Sequence, residues 1–160
     1  MSTSSSTGPS GAEMSPTTLI LAFIAGALAV PVFHQILLLI FHVAGIVPFA
    51  PFSMAPTKPF GVPDLISISF WGGVWGVAFQ LTLPRWFSGT AYWIAAAIIG
   101  GVALTLVFMF VVWPLKIGGL PPDMIGLFII GFLLNAAWGI GWALFLWLVE
   151  RMRATQAGTA

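Results

Sequence analysis

Long apolar runs alternate with short polar stretches along this chain, and that alternation predicts its elements. Residues 18–47, 64–83, 90–113 and 123–149 are almost wholly apolar. Each run reaches the length, about 20 residues at 1.5 Å per residue, that carries an α-helix across a hydrocarbon core. The first run is long enough to tilt, and Pro31 within it predicts a kink. Pro84-Arg85 closes the second run, Pro114 the third, and Glu150-Arg151-Met152-Arg153 the fourth. Residues 1–16 are rich in Ser, Thr, Gly and Pro, carry Glu13 as their one charge, and read as a disordered tail. Residues 151–160 read as a short tail at the other end. Ala27-Leu28-Ala29 matches a signal-peptide cleavage pattern, yet no Lys or Arg precedes it and the apolar run continues beyond it. The run therefore reads as a span rather than a leader. The predicted fold class is an all-α integral membrane protein with four transmembrane helices.

A polar pattern recurs between the runs. Pro56-Thr57-Lys58-Pro59-Phe60-Gly61-Val62-Pro63-Asp64 is echoed by Pro114-Leu115-Lys116-Ile117-Gly118-Gly119-Leu120-Pro121-Pro122-Asp123. Each copy joins two apolar runs, so the expectation is two tandem helical hairpins, a parallel repeat with its pseudo-axis along the membrane normal. Trp71-Gly72-Gly73-Val74-Trp75 and Trp138-Gly139-Ile140-Gly141-Trp142 add a weaker echo inside the helices. In both loops Pro precedes Asp at a helix start, and a carboxylate there accepts free backbone N–H groups at the positive end of the helix dipole. Asp64 and Asp123 are accordingly expected as matching N-caps.

Composition turns this pattern into a statement about solvent. Apolar residues make up 59% of the chain and charged residues 6%, against about 25% charged in a soluble domain. Such a surface is solvated by lipid. The net charge of +1 excludes the basic stripe that nucleic acid demands. Cysteine is absent, which removes disulfides, thiolate metal sites and cysteine nucleophiles. Trp71, Trp86, Trp93, Trp113 and Trp147 lie near the ends of runs, where an indole ring suits the headgroup region. Arg85, Arg151 and Arg153 share the side of the termini, and Lys58 and Lys116 the other. The Lys/Arg bias thus places the termini in the cytoplasm and the paired loops outside, in a bacterial inner membrane.

Helix contacts in lipid need small residues. Gly72 and Gly76 in the second run, Ala96/Gly100 and Ala97/Gly101 in the third, and Gly131, Asn135 and Gly139 in the fourth repeat at intervals of four and mark faces for close approach. Polar groups at membrane depth are costly and are functional candidates by default. They are His34, Gln35 and His42 in the first run and Asn135 in the fourth, with Gln80 nearer an interface. An unpaired amide in hydrocarbon costs several kcal/mol, so Asn135 is expected to pair with His34 or Gln35 at matching depth.

No Ser-His-Asp set, H-E-x-x-H motif, phosphate loop or dinucleotide fingerprint occurs. Asp64 and Asp123, each near a Lys, offer a conceivable carboxylate pair, but capping accounts for both. The expectation is a non-enzyme. His34 and His42 lie about 12 Å apart along one helix axis and cannot supply both axial ligands of one haem. The sequence requires no cofactor and no metal. The expected function is that of a non-catalytic multi-pass membrane protein, an accessory or assembly subunit that meets other membrane subunits or itself in the bilayer. A small oligomeric transporter or channel using the polar midplane cluster is the alternative. A haem- or pigment-binding subunit, with His34 and His42 as candidate ligands, is the third.

Overall fold

The computed structural model describes residues 15–58 and 60–157, so the expected disordered tail lies almost wholly outside the described residues. Four helices are long and apolar enough to cross a membrane: α1 Pro16–Val43, α2 Asp64–Trp86, α3 Gly89–Lys116 and α4 Met124–Ala157. The chain is thus a helical multi-pass membrane protein in its length and hydropathy pattern. A two-residue ribbon, β1 Pro56–Thr57 against antiparallel β2 Val62–Pro63, closes the first connection.

α1 starts on a cap the sequence spells out. Ser15 Oγ accepts the Thr17 N–H at 3.3 Å, and Pro16 takes the first helical position, where its missing N–H costs nothing. Pro31 does not break the helix. Residues Val30–His34 widen into a π-helical turn in which the Gln35 N–H reaches back to the Val30 carbonyl, re-pairing backbone that proline would otherwise disrupt. The helix stops at Val43, short of the expected Val47. Gly45 takes φ 71°, its N–H bonds the His42 carbonyl at 3.0 Å, and the Ile46 N–H bonds the Phe41 carbonyl at 2.9 Å. This is the Schellman arrangement, and glycine at its left-handed position ends the helix against an apolar continuation.

The proline stops expected in α2 and α3 lie inside the helices. Pro84 sits in the last turn of α2, which runs to Trp86, and Pro114 in the last turn of α3, which runs to Lys116. Gly118 and Gly119, at φ 91° and 66°, turn the chain out of α3 instead. α4 continues as helix past the expected Val149 and through the Arg151 and Arg153 segment; Arg151 lies over the Trp147 ring at 4.2 Å, an i, i+4 cation–π contact.

The two copies of the loop pattern take different conformations. In the first, Pro56-Thr57 is extended, and Thr57 Oγ1 donates to the Val62 carbonyl at 2.8 Å across the ribbon. In the second, Pro114–Lys116 is helical. The cause is upstream: α3 runs unbroken into its copy, whereas α1 has already stopped and residues 44–55 intervene.

α1 packs along α2 and α4, and α4 packs along α1 and α3. Small residues set the spacing. A side chain at Gly26 would strike the Gly72 carbonyl, one at Gly76 would strike the Ala22 carbonyl, and one at Gly139 would strike the Ala96 carbonyl. The expected small faces of α2, α3 and α4 therefore do form the contacts, with Ala22 and Gly26 as the α1 partners. Trp138 and Trp142, 1% and 0% exposed, fill the centre with Phe79, Ala29, Ala96 and Ala143. Phe79 meets both indoles edge-on, at 5.4 and 5.6 Å between ring centroids.

Candidate functional site

The polar groups inside the bundle separate into distinct pairings. Asn135, one turn from Gly131 and Gly139 on α4, donates from Nδ2 to Thr105 Oγ1 at 3.0 Å. Thr105 is fully buried in α3, between the π-helical turns Gly100–Leu104 and Phe108–Val112. The expected bond from Asn135 to His34 or Gln35 is thus replaced by one to α3. The reason lies in the register of the glycine face. Gly131 faces the Thr105 side chain and Gly139 the Ala96 backbone, so the stripe that carries Asn135 is turned toward α3 rather than α1. Thr105 carried a signal the sequence reading passed over: it is a hydroxyl in the middle of an apolar run.

Gln35 serves the connection instead. Its side chain is 4% exposed, and its Oε1 accepts the Phe52 N–H at 2.7 Å. Phe52 has φ 54°, left-handed backbone that a bulky residue seldom adopts. A buried amide therefore holds the 44–55 segment down at a strained residue. Gln35 Nε2 also approaches His34 Nδ1 at 3.5 Å. His42 turns elsewhere: its Nδ1 lies 3.3 Å from the Val47 carbonyl, inside the turn that ends α1. His34, Gln35 and His42 thus do not converge with Asn135 on one centre. Among the described residues, no group of three or more His, Asp or Glu is placed to hold a metal ion.

The core indoles were assigned no polar role by sequence, yet one has a firm one. Trp138 Nε1 donates to the Gly26 carbonyl at 2.8 Å, across from α4 to α1. The contact is helped by glycine at 72, where a side chain would crowd the Trp138 ring nitrogen. Trp142, one turn further along α4, points its Nε1 at the same small seam beside Gly76 but reaches no acceptor.

The repeat-loop residues do meet at one end of the bundle. Lys116 Nζ lies 3.7 Å from Asp64 Oδ1, both about one-third exposed, which joins the end of α3 to the start of α2. The two aspartates are not equivalent. Asp123 caps α4, its Oδ1 accepting the Gly126 N–H at 2.9 Å. Asp64 is the first residue of α2 rather than its cap, which is Pro63 and offers no side-chain bond. Carbonyls of the incoming loop do that work: Ser53 O accepts the Leu65 N–H at 2.9 Å and Ala55 O accepts the Asp64 N–H at 3.0 Å. With those donors satisfied, the Asp64 carboxylate is free to face Lys116. Lys58 is exposed.

No family model matches the chain, and neither the curated proteins nor the solved structures hold a match to it.

Proposed function

We propose that this chain is a non-catalytic accessory or assembly subunit that works by packing against other membrane proteins, in a bacterial inner membrane with its termini in the cytoplasm. One observation carries the reading. The place where a single-chain pore would run is occupied by Trp138, Trp142 and Phe79, packed on alanine and glycine. Asn135 is spent on Thr105, Gln35 on the Phe52 backbone and Trp138 on the Gly26 backbone, and the unmatched Trp142 N–H faces the packed seam beside Gly76 rather than open volume. A transport path instead needs polar groups convergent on open volume. Supporting the partner role, Phe70 and Trp71 stand out from α2 at 53% and 57% exposure, in edge-to-face contact with each other. Aromatic side chains of this kind anchor protein interfaces. The two hairpins are read as a diverged duplication, on the loop pattern alone.

The test compares the chain in its native membrane with the purified chain in liposomes. Mild-detergent extracts run on native gels should show the chain in a species larger than itself, and Phe70→Ala with Trp71→Ala should release it. Liposomes carrying the purified chain should be no leakier to ions or small solutes than empty ones. A solitary chain in native membranes would overturn the reading, and solute flux abolished by Asn135→Leu would replace it with a transporter.

A further inference from the structure

A groove of about 440 Å³ opens between the loop that follows α1 and the first two turns of α4. This is ligand-sized, within the range of about 300–1,000 Å³. Val47, Phe49, Trp113, Gly126 and Ile130 line it, and Asp123 supplies the one charged group in its wall. The charge sits at one end. Asp123 precedes α4 at the loop end of the bundle, and Ile130 lies seven residues on, about 10 Å deeper along the axis. The groove is thus polar where the chain leaves the apolar span and apolar where it enters it.

The carboxylate is also uncompensated. Lys116 is committed to Asp64 at 3.7 Å, and among the described residues no cation lies within ion-pairing distance of Asp123. One carboxylate oxygen holds the Gly126 N–H, and the residue remains exposed.

We propose that this groove binds a phospholipid with an ammonium headgroup, such as phosphatidylethanolamine, its amine on the Asp123 carboxylate and an acyl chain along Val47, Phe49 and Ile130. Charge complementarity selects the headgroup, because an anionic lipid would bring like charge to Asp123. The direction of the groove selects a lipid, whose own polarity runs the same way. The inference does not depend on the subunit role proposed above.

Asn and Ser cap helices about as well as Asp, so Asp123→Asn and Asp123→Ser remove the charge and keep the cap. The full chain, purified in detergent, is offered equal amounts of phosphatidylethanolamine and phosphatidylglycerol with matched acyl chains, and retained lipid is counted by native mass spectrometry. The wild type should favour the ethanolamine lipid by roughly two- to fivefold, the ratio expected of a partly exposed ion pair. Both variants should bind the two lipids equally while melting within a few degrees of the wild type. Asp64→Asn combined with Lys116→Met, which removes the neighbouring carboxylate without freeing its lysine, should leave the preference intact. Equal retention by the wild type would overturn the proposal, as would a preference that survives in both Asp123 variants. So would a groove that takes up no lipid and is shielded only in native membranes, which would assign it to a partner helix.

Discussion

Two indoles one turn apart on α4 meet the same seam with different results. Trp138 donates to Gly26, and Trp142 is buried with its N–H unmatched. Phenylalanine at either position removes the N–H and part of the ring, so the difference between the two variants isolates the hydrogen bond. Trp138→Phe should cost about 1 kcal/mol more than Trp142→Phe, the net worth of one such bond. Reversible unfolding in mixed micelles measures both; equal losses would mean that Trp142 has an acceptor in the native bilayer. Asn135 presents the same question between α4 and α3. Asn135→Leu and Thr105→Val should each weaken the bundle slightly, with a coupling near the ~0.6 kcal/mol averaged by hydrogen bonds between membrane helices. A coupling of zero would show that the pair is not made in lipid.

Helix ends carry the next set of choices. Asp123 caps α4 through its side chain, whereas loop carbonyls cap α2 and leave Asp64 to Lys116. Asp123→Ala should therefore cost about 1 kcal/mol of stability. A double-mutant cycle of Asp64→Asn with Lys116→Met should return only about 0.2–1 kcal/mol, the range of partly exposed ion pairs. A larger loss from Asp64→Ala than from Asp123→Ala would contradict this division of labour. Between helices, the close seams leave no space for a methyl group. Gly26→Ala places one against the Gly72 carbonyl, and overpacking of that kind typically costs about 1–3 kcal/mol. Unfolding of the variant in mixed micelles should show that loss, and a neutral result would mean that α1 and α2 lie further apart than they do here.

At the scale of the molecule, the Lys116–Asp64 contact brings the α1–α2 and α3–α4 connections to one end of the bundle. Lys58→Cys and Lys116→Cys, tested singly, should react with an impermeant thiol reagent from the same side of the membrane, opposite the termini. Labelling from opposite sides would break the four-span topology, and labelling of both from the cytoplasm would invert the proposed orientation while leaving the bundle unchanged.

Solvent explains which of these features were legible in the sequence. A chain with 6% charge and four long apolar runs has one way to be solvated. Backbone bonding in hydrocarbon must be internal, so those runs had to be helices. The number of spans and the small-residue faces follow from residue type and spacing alone. Two helix ends were legible as well, at Gly45 and at Gly118-Gly119, because glycine in the left-handed region stops a helix. Partner choice was not legible. A glycine stripe says that a helix approaches something closely, and it does not say which helix. Asn135 took Thr105 and not Gln35 because α4 presents that stripe to α3. The same limit hid the buried role of Trp138 and Trp142, since an indole inside a run and one at its end differ only in what the other helices place around them. The loop pattern likewise repeats in letters and diverges in shape, because a residue's conformation depends on whether the preceding helix has already ended. Local chemistry determined four helices long and apolar enough to cross a membrane; only their packing decided which polar groups meet.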